Sequence, residues 1–344
     1  MALIRFYKPT LRRKDMDAVL QTMVDERIGP GERKKEFLRQ FQTFVNLTGG
    51  GIALRSYVDA LKTALRLVGV TEGSLVAASV LSPPVYAKIA SDLGATLLLG
   101  DIDPNTGCLA EEQARSLVAQ GATAVLLHEP SGMIPYQADF SSLGAKVVED
   151  ITQSLGSCYG DSKAGGWGDV VVCAFEEEDV VSTAGGAAVV FSDAAYRQPL
   201  KELFGEERVY QELPDMNAAL GIVQISTIET QLARRKELFK LFRQSLLKTQ
   251  HKLFGIGNID FDPNGYRFSV VLDSKVDDVV KFAMKYQVSS ERTFEGCVGE
   301  PYQDRFDLFP AAIPCILRGL SFPIYPFLSG ADVEMLMKVI SHLP

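Results

Sequence analysis

The side chains with chemical potential in this sequence sit at the ends of apolar runs. Asp150 closes the run Lys146-Val147-Val148-Glu149-Asp150, and Gln153 follows three residues later. A carboxylate where a strand ends stands where open α/β sheets gather their ligands, and it serves equally well as a cap for the next helix. His128 closes a second run, Val125-Leu126-Leu127-His128, and reads as a structural histidine with its hydrogen bonds satisfied. Glu176-Glu177-Glu178-Asp179 reads as a solvated acidic loop. Gly49-Gly50-Gly51 lacks the lysine and hydroxyl spacing of a nucleotide-phosphate loop and reads as a flexible turn. Trp167, between Gly166 and Gly168, reads as a packing residue. The cysteines Cys108, Cys158, Cys173, Cys297 and Cys315 are odd in number and form no CxxC pair. That pattern suggests neither a disulfide framework nor a zinc site, and it fits a reducing cytoplasm.

Elements must hold these side chains in place. Short apolar runs at 74–79, 96–100, 124–128, 145–148, 170–175 and 187–191 read as strands, with amphipathic helices at 59–67 and 85–93 between them. Such alternation predicts a parallel or mixed α/β sheet covered on both faces. Ahead of it, Met16, Val19, Leu20 and Met23 recur at helical spacing, as do Phe37, Phe41 and Phe44 after the turn Gly29-Pro30-Gly31. A single long helical stretch is expected over 216–240, its Arg234-Arg235-Lys236-Glu237 charges forming a solvated face. A strand at 266–272, a helix at 276–286 and a last helix at 331–343 complete a smaller α+β unit. The expected division is a large domain over 1–240 and a small one over 241–344.

The chain has 344 residues, 47% of them hydrophobic, enough to bury a full core. A net charge of −8 argues against non-specific nucleic-acid binding. No apolar stretch is long enough for a transmembrane helix, and the start lacks the apolar region of a signal peptide. A cytoplasmic protein is the expectation.

A set of ordered landmarks carries more specific information. Phe6-Tyr7-Lys8-Pro9, then Arg27-Ile28-Gly29-Pro30-Gly31, Gly94-Ala95-Thr96 and Asp101-Ile102-Asp103-Pro104 are followed by Val148-Glu149-Asp150 with Gln153-Ser154-Leu155-Gly156. Gly165, Gly168 and Asp169, Ala218-Ala219-Leu220-Gly221 and Ser321-Phe322-Pro323-Ile324-Tyr325-Pro326 continue the series. In order and spacing the series resembles the DegT/DnrJ/EryC1/StrS family of pyridoxal-phosphate sugar aminotransferases over residues 5–340. The resemblance implies the fold-type I architecture, a large domain with a mostly parallel seven-stranded sheet plus a small C-terminal α+β domain. It also implies a homodimer with shared sites, and amino transfer from glutamate to a keto sugar linked to a nucleotide.

That chemistry requires a lysine for the Schiff base, an acid for the pyridinium nitrogen and donors for the phosphate. The resemblance assigns the acid to Asp150 and a ring-orienting role to Gln153. It assigns the lysine position to Asp179, in the segment Cys173-Ala174-Phe175-Glu176-Glu177-Glu178-Asp179, and a carboxylate cannot form a Schiff base. The phosphate-binding serine falls on Ala174. The phosphate turn falls on Ser56-Tyr57-Val58, where Tyr57 replaces a glycine and Val58 a threonine. The partner subunit's asparagine falls on Tyr210 and the stacking aromatic on Pro83. Lys62 and Lys88 are read as surface residues on helices, and Lys163 falls where the resemblance implies a basic residue that does not bind the aldehyde. The sequence therefore leads to a vestigial cofactor site, with pyridoxal or pyridoxamine phosphate expected only if that site still works. The expected role is a non-catalytic binding or partner subunit in sugar or polysaccharide biosynthesis, as a homodimer or in a mixed dimer with an active member, with a sugar nucleotide as the candidate ligand. The alternative is an active transferase with an altered site in which Asp179 is a general base.

Overall fold

Runs such as Val170-Val171-Val172-Cys173-Ala174 are apolar at every position, so such a strand needs a covering layer on each face. In the computed structural model, which describes residues 2–205, 208–255, 261 and 263–344, that demand is met by one large sheet. Its strands are β1 (Gly50–Leu54), β2 (Leu75–Ser79), β3 (Thr96–Gly100), β4 (Ala122–His128) and β5 (Lys146–Asp150). After a small hairpin, β6 (Cys158–Tyr159) and β7 (Ser162–Lys163), come β8 (Val170–Ala174) and β9 (Ala187–Phe191). The seven strands lie in the order β1-β9-β8-β5-β4-β2-β3. Only β9 runs antiparallel to its neighbours; the pairs among β8, β5, β4, β2 and β3 are parallel. This is the α/β, fold-type I architecture expected from the sequence.

Side-chain alternation sorts residues into two cores. Val125, Leu127, Val171 and Cys173 face one, with Phe37 and Phe41 of α2 (Glu32–Val45), which follows α1 (Arg13–Val24). Ala124, Leu126, Val170, Val172 and Ala174 face the other. There they meet Leu61 and Ala64 of α3 (Tyr57–Leu67) and Tyr86 and Ile89 of α4 (Pro84–Asp92). Beyond them, α5 (Glu111–Ala119) packs in the first core, α6 (Arg197–Phe204) in the second, and α7 (Arg208–Gln211) leads into α8 (Asp215–Ser226).

The single long helix expected over 216–240 is two helices. It breaks at Thr227, whose φ of −116° is not helical, and α9 (Ile228–Leu246) starts there. The Thr227 hydroxyl bonds back to the Val223 and Gln224 carbonyls, which supplies local partners in place of a continued helix. The C-terminal half of α9 enters a third core with Leu238, Phe239 and Phe242. That core lies under an antiparallel sheet ordered β10 (Lys252–Leu253), β11 (Phe268–Val271), β13 (Gly319–Phe322), β12 (Glu291–Arg292). Helices α10 (Val276–Lys285) and α12 (Gly330–Ile340) complete it, and α11 (Ala312–Arg318) precedes β13.

Two further expectations change. The Gly49–51 segment is not a flexible turn, because Gly50 and Gly51 are strand residues paired with β9. A Cβ at Gly49 would lie 2.0 Å from the Ser192 carbonyl oxygen, so glycine is required there for close backbone approach. The apolar stripe of α1 does not face the chain's own core. Asp15 and Thr22 are its buried residues, while Met16, Leu20 and Met23 are 60%, 59% and 54% exposed.

Loop anchoring is done by buried acids. Glu149 accepts the Gly165, Trp167 and Gly168 N–H groups at 2.6, 2.8 and 2.6 Å and so fixes the turn before β8. Trp167 packs there as expected, its indole N–H bonded to the Ala138 carbonyl at 3.1 Å.

Candidate functional site

Asp150 is the last residue of β5 and is 1% exposed. A buried carboxylate needs donors in proportion to the hydration it has lost. Oδ1 accepts the Thr152 N–H at 3.0 Å and the Thr152 hydroxyl at 2.5 Å. The Thr152 oxygen itself accepts the Ala174 N–H at 2.9 Å, which orients its hydroxyl toward Asp150. Oδ2 accepts the Tyr86 hydroxyl of α4 at 2.6 Å and also the Tyr57 hydroxyl of α3. Burial, then the Asp150 charge, pushes both phenols well above their ordinary range, so both remain donors.

His128 stands beside Asp150 in the register of β4 and β5 and meets the Tyr86 ring edge-on at 6.0 Å. It is structural but not satisfied, which corrects the sequence reading: its buried Nδ1 has no hydrogen-bond partner. Burial lowers its pKa to about 4 against the opposing pull of Asp150, so the ring stays neutral.

The remaining positions singled out by the resemblance have local duties. Ser56 caps α3, its hydroxyl oxygen accepting the Asp59 N–H at 3.3 Å. Val58 packs against the second core, and Ala174 is buried within β8. Gln153 turns away from Asp150: its side-chain oxygen accepts the Ser131 N–H at 2.8 Å. Tyr210 on α7 is 77% exposed, and Pro83 caps α4 one turn before Tyr86. Lys163 and Lys88 are exposed, and Lys62 pairs with Asp92 at 2.7 Å.

Asp179 departs from the solvated loop expected of its segment. Glu176, Glu177 and Glu178 are exposed, but Asp179 is 8% exposed and folds inward. Its Oδ2 accepts the Glu176 N–H at 2.7 Å, closing the turn after β8, and its Oδ1 accepts the Tyr266 hydroxyl at 3.2 Å. Burial raises its pKa to about 8; the Glu176 N–H opposes the shift and the Glu178 charge adds to it. Arg267 bonds Glu178 at 2.8 Å and lies over the Phe6 and Tyr266 rings. Arg235 of α9 donates to the Gly265 and Ile324 carbonyls at 3.2 and 2.9 Å, while its Nε has no partner. Between these groups and Lys8 a cavity of about 20 Å³ remains. That is room for about one water.

Sequence reasoning missed Tyr86, Thr152, Tyr266 and Arg267, and it placed Arg235 on a solvated helix face, whereas Arg235 is 4% exposed and bonded to backbone carbonyls. Thr152 was the most accessible, since a hydroxyl two residues beyond a strand-end aspartate forms a local turn with it. Tyr266 reaches Asp179 from 87 positions away along the chain, and Arg235 lines the same cavity from 56 positions away; no local pattern marks either approach.

These residues do not fit pyridoxal phosphate in the pose the resemblance implies. The acceptor for a pyridinium nitrogen already holds two phenol hydroxyls. The lysine position carries a carboxyl group bonded to Tyr266, and the phosphate turn carries Tyr57, whose side chain points to Asp150. Among the described residues no cluster of His, Cys, Asp and Glu could hold a metal ion, and no helix is long and apolar enough to cross a membrane.

Comparison with known proteins gives a consistent parentage. The chain is 23% identical to GDP-perosamine synthase of Caulobacter vibrioides, over 97% of this chain and 96% of that protein. It is 22% identical to the spore coat polysaccharide biosynthesis protein SpsC of Bacillus subtilis, over 97% and 95%. Its fold matches the aminotransferase TlmJ from Streptoalloteichus hindustanus with a TM-score of 0.89 at 20% identity, covering 98% of each chain. It matches S. venezuelae DesV, solved with a ketimine intermediate, with a TM-score of 0.89 at 20% identity, covering 99% of this chain and 98% of that one. The model of the DegT/DnrJ/EryC1/StrS aminotransferase family matches residues 9–341, and the chain belongs to that family.

Proposed function

We propose that this chain is a family member without pyridoxal-phosphate transamination, acting as a binding or partner subunit in sugar or polysaccharide biosynthesis. One observation carries the reading: the Asp150 carboxylate is saturated by Tyr57, Tyr86 and Thr152, all from its own chain. A carboxylate held by these donors has no oxygen directed at a cofactor. Asp179 supplies no amine, and restoring one is not enough. Asp179→Lys is expected to add no aldimine absorbance with pyridoxal phosphate and no glutamate-dependent amination of keto-sugar nucleotides. Recovered transamination in that single variant would refute the reading.

The partner role is supported by α1, whose outward face carries Met16, Leu20, Met23 and Val24, with Ile28 beyond it. A stripe of this size on water is costly, and an apolar partner surface removes the cost. We propose a homodimer, or a mixed dimer with an active member. Sedimentation of the purified chain alone and with such an aminotransferase tests it. A strictly monomeric chain that ignores the aminotransferase would overturn it. The small cavity at Asp179 counts against a sugar nucleotide bound beside it.

A second reading has one observation in its favour. Asp179, with a pKa of about 8, holds a proton that is exchangeable near neutrality, as a general acid–base group must. Turnover of a keto-sugar nucleotide lost in Asp179→Asn would establish it; absence of turnover in the parent protein would end it.

A further inference from the structure

The Tyr57 side chain connects two places that are far apart in sequence and functionally paired in this fold. Its backbone opens α3, in the turn that the family resemblance assigns to the cofactor phosphate. Its hydroxyl reaches Oδ2 of Asp150, 93 residues away at the C-terminal end of β5. The residue is partly exposed while its hydroxyl lies against a carboxylate that is 1% exposed, so the ring leads inward from the start of α3 to the end of β5. A phenol and a pyridinium have the same recognition chemistry at that floor. Each is a six-membered aromatic ring with one polar hydrogen in its plane, and each hydrogen suits a carboxylate acceptor. Tyr86 adds its hydroxyl to the same oxygen.

We propose that Tyr57 is a built-in occupant of the pyridine seat, spanning from the phosphate turn to Asp150 as the ring and phosphate of a cofactor would. This assignment rests on the non-catalytic reading of the cleft, and it adds a reversible cause. The seat is filled rather than dismantled, so removing the ring should reopen it to a pyridine that carries an anionic arm. At the start of α3 the Asp59 N–H is taken by the Ser56 hydroxyl, so such an arm would draw on the Tyr57 and Val58 N–H groups.

The test is binding of pyridoxamine 5′-phosphate to the full chain, followed by its fluorescence and by equilibrium dialysis. Its amine cannot form Schiff bases with surface lysines. The parent protein is expected to show no saturable binding up to about 1 mM. Tyr57→Gly should bind at least about tenfold more tightly than the parent. Tyr57→Phe keeps the ring and should behave as the parent does. Tyr57→Gly combined with Asp150→Asn should lose the gain. A folded Tyr57→Gly protein that binds no better than the parent, or a Tyr57→Phe protein that gains as much, would overturn the proposal. Tyr57→Ala and Tyr57→Ser give the same readout if the glycine variant does not fold by circular dichroism. Saturable binding to the parent would sink both this proposal and the non-catalytic reading, whereas failure of the Tyr57 variants alone leaves that reading standing.

Discussion

Two buried carboxylates in one cleft are treated in opposite ways. Asp150 receives the Thr152 N–H and three hydroxyls, and each of its oxygens has two donors. Asp179 receives one N–H and one longer contact from Tyr266, and burial raises its pKa to about 8. Two buried carboxyl groups thus differ in the number and aim of their donors. The first carboxylate is held as an acceptor by its surroundings. The second is held near neutrality as a group that closes a turn.

The largest expected effect breaks the first half of that contrast. Asp150→Ala strands the Tyr57, Tyr86 and Thr152 hydroxyls in a buried site, and should cost on the order of 3–5 kcal/mol in urea unfolding. A loss below about 1 kcal/mol would mean that the donors find other partners.

Next is the pH dependence of Asp179. Its folded-state pKa of about 8 lies far above the ordinary carboxylate range of about 4, so the folded state binds the proton more tightly. The Asp179 contribution is therefore fully present below about pH 4 and is lost as pH rises from there to about 8. The Asp179→Asn protein should lack this component and be more stable than the parent at pH 8, by an amount on the order of a few kcal/mol. Parallel stability curves for parent and variant across pH 4–8 would contradict the assignment.

Smaller effects rank the donors. Tyr86→Phe, fully buried, should cost about 1.5–3 kcal/mol, the usual worth of a hydrogen bond to a charged group. Tyr57→Phe should cost less, because its ring is partly exposed and Tyr86 still serves the same oxygen. Reversal of that order would shift the main support of Asp150 from α4 to α3. Glu177→Gln, on the exposed side of the acidic run, should change stability by no more than about 0.5 kcal/mol.

The same contrast shows what the sequence could and could not disclose. Ala187–Phe191 was readable to the residue, because two-sided burial makes it a continuous apolar run, and so was the half-buried edge strand Thr96–Gly100, an apolar run that follows the turn at Gly94. β1 was not, because its glycines answer to the close approach of β9, a contact made 137 residues later. Asp150 was singled out by its place at a strand end together with the family resemblance, and the same resemblance assigned the lysine position to Asp179. The partners of both came from elsewhere: Tyr86 from α4 and Tyr266 from the segment before β11, with Arg235 of α9 lining the cavity beside Asp179. Tyr57 was visible as a lost glycine, but the direction of its side chain depends on how α3 packs over β8 and β9. The outward stripe of α1 was visible as periodicity, yet periodicity alone does not tell an inner face from one reserved for another chain.

The most direct test of the central claim, that this cleft is filled by its own side chains and no longer serves the cofactor, is a titration of the purified full chain with pyridoxal phosphate. It is followed by visible absorbance, then by borohydride reduction and peptide mapping. The account predicts no saturable aldimine band and only scattered labelling of exposed lysines. A stoichiometric band with the label on one lysine, Lys8 beside Asp179 included, would contradict it.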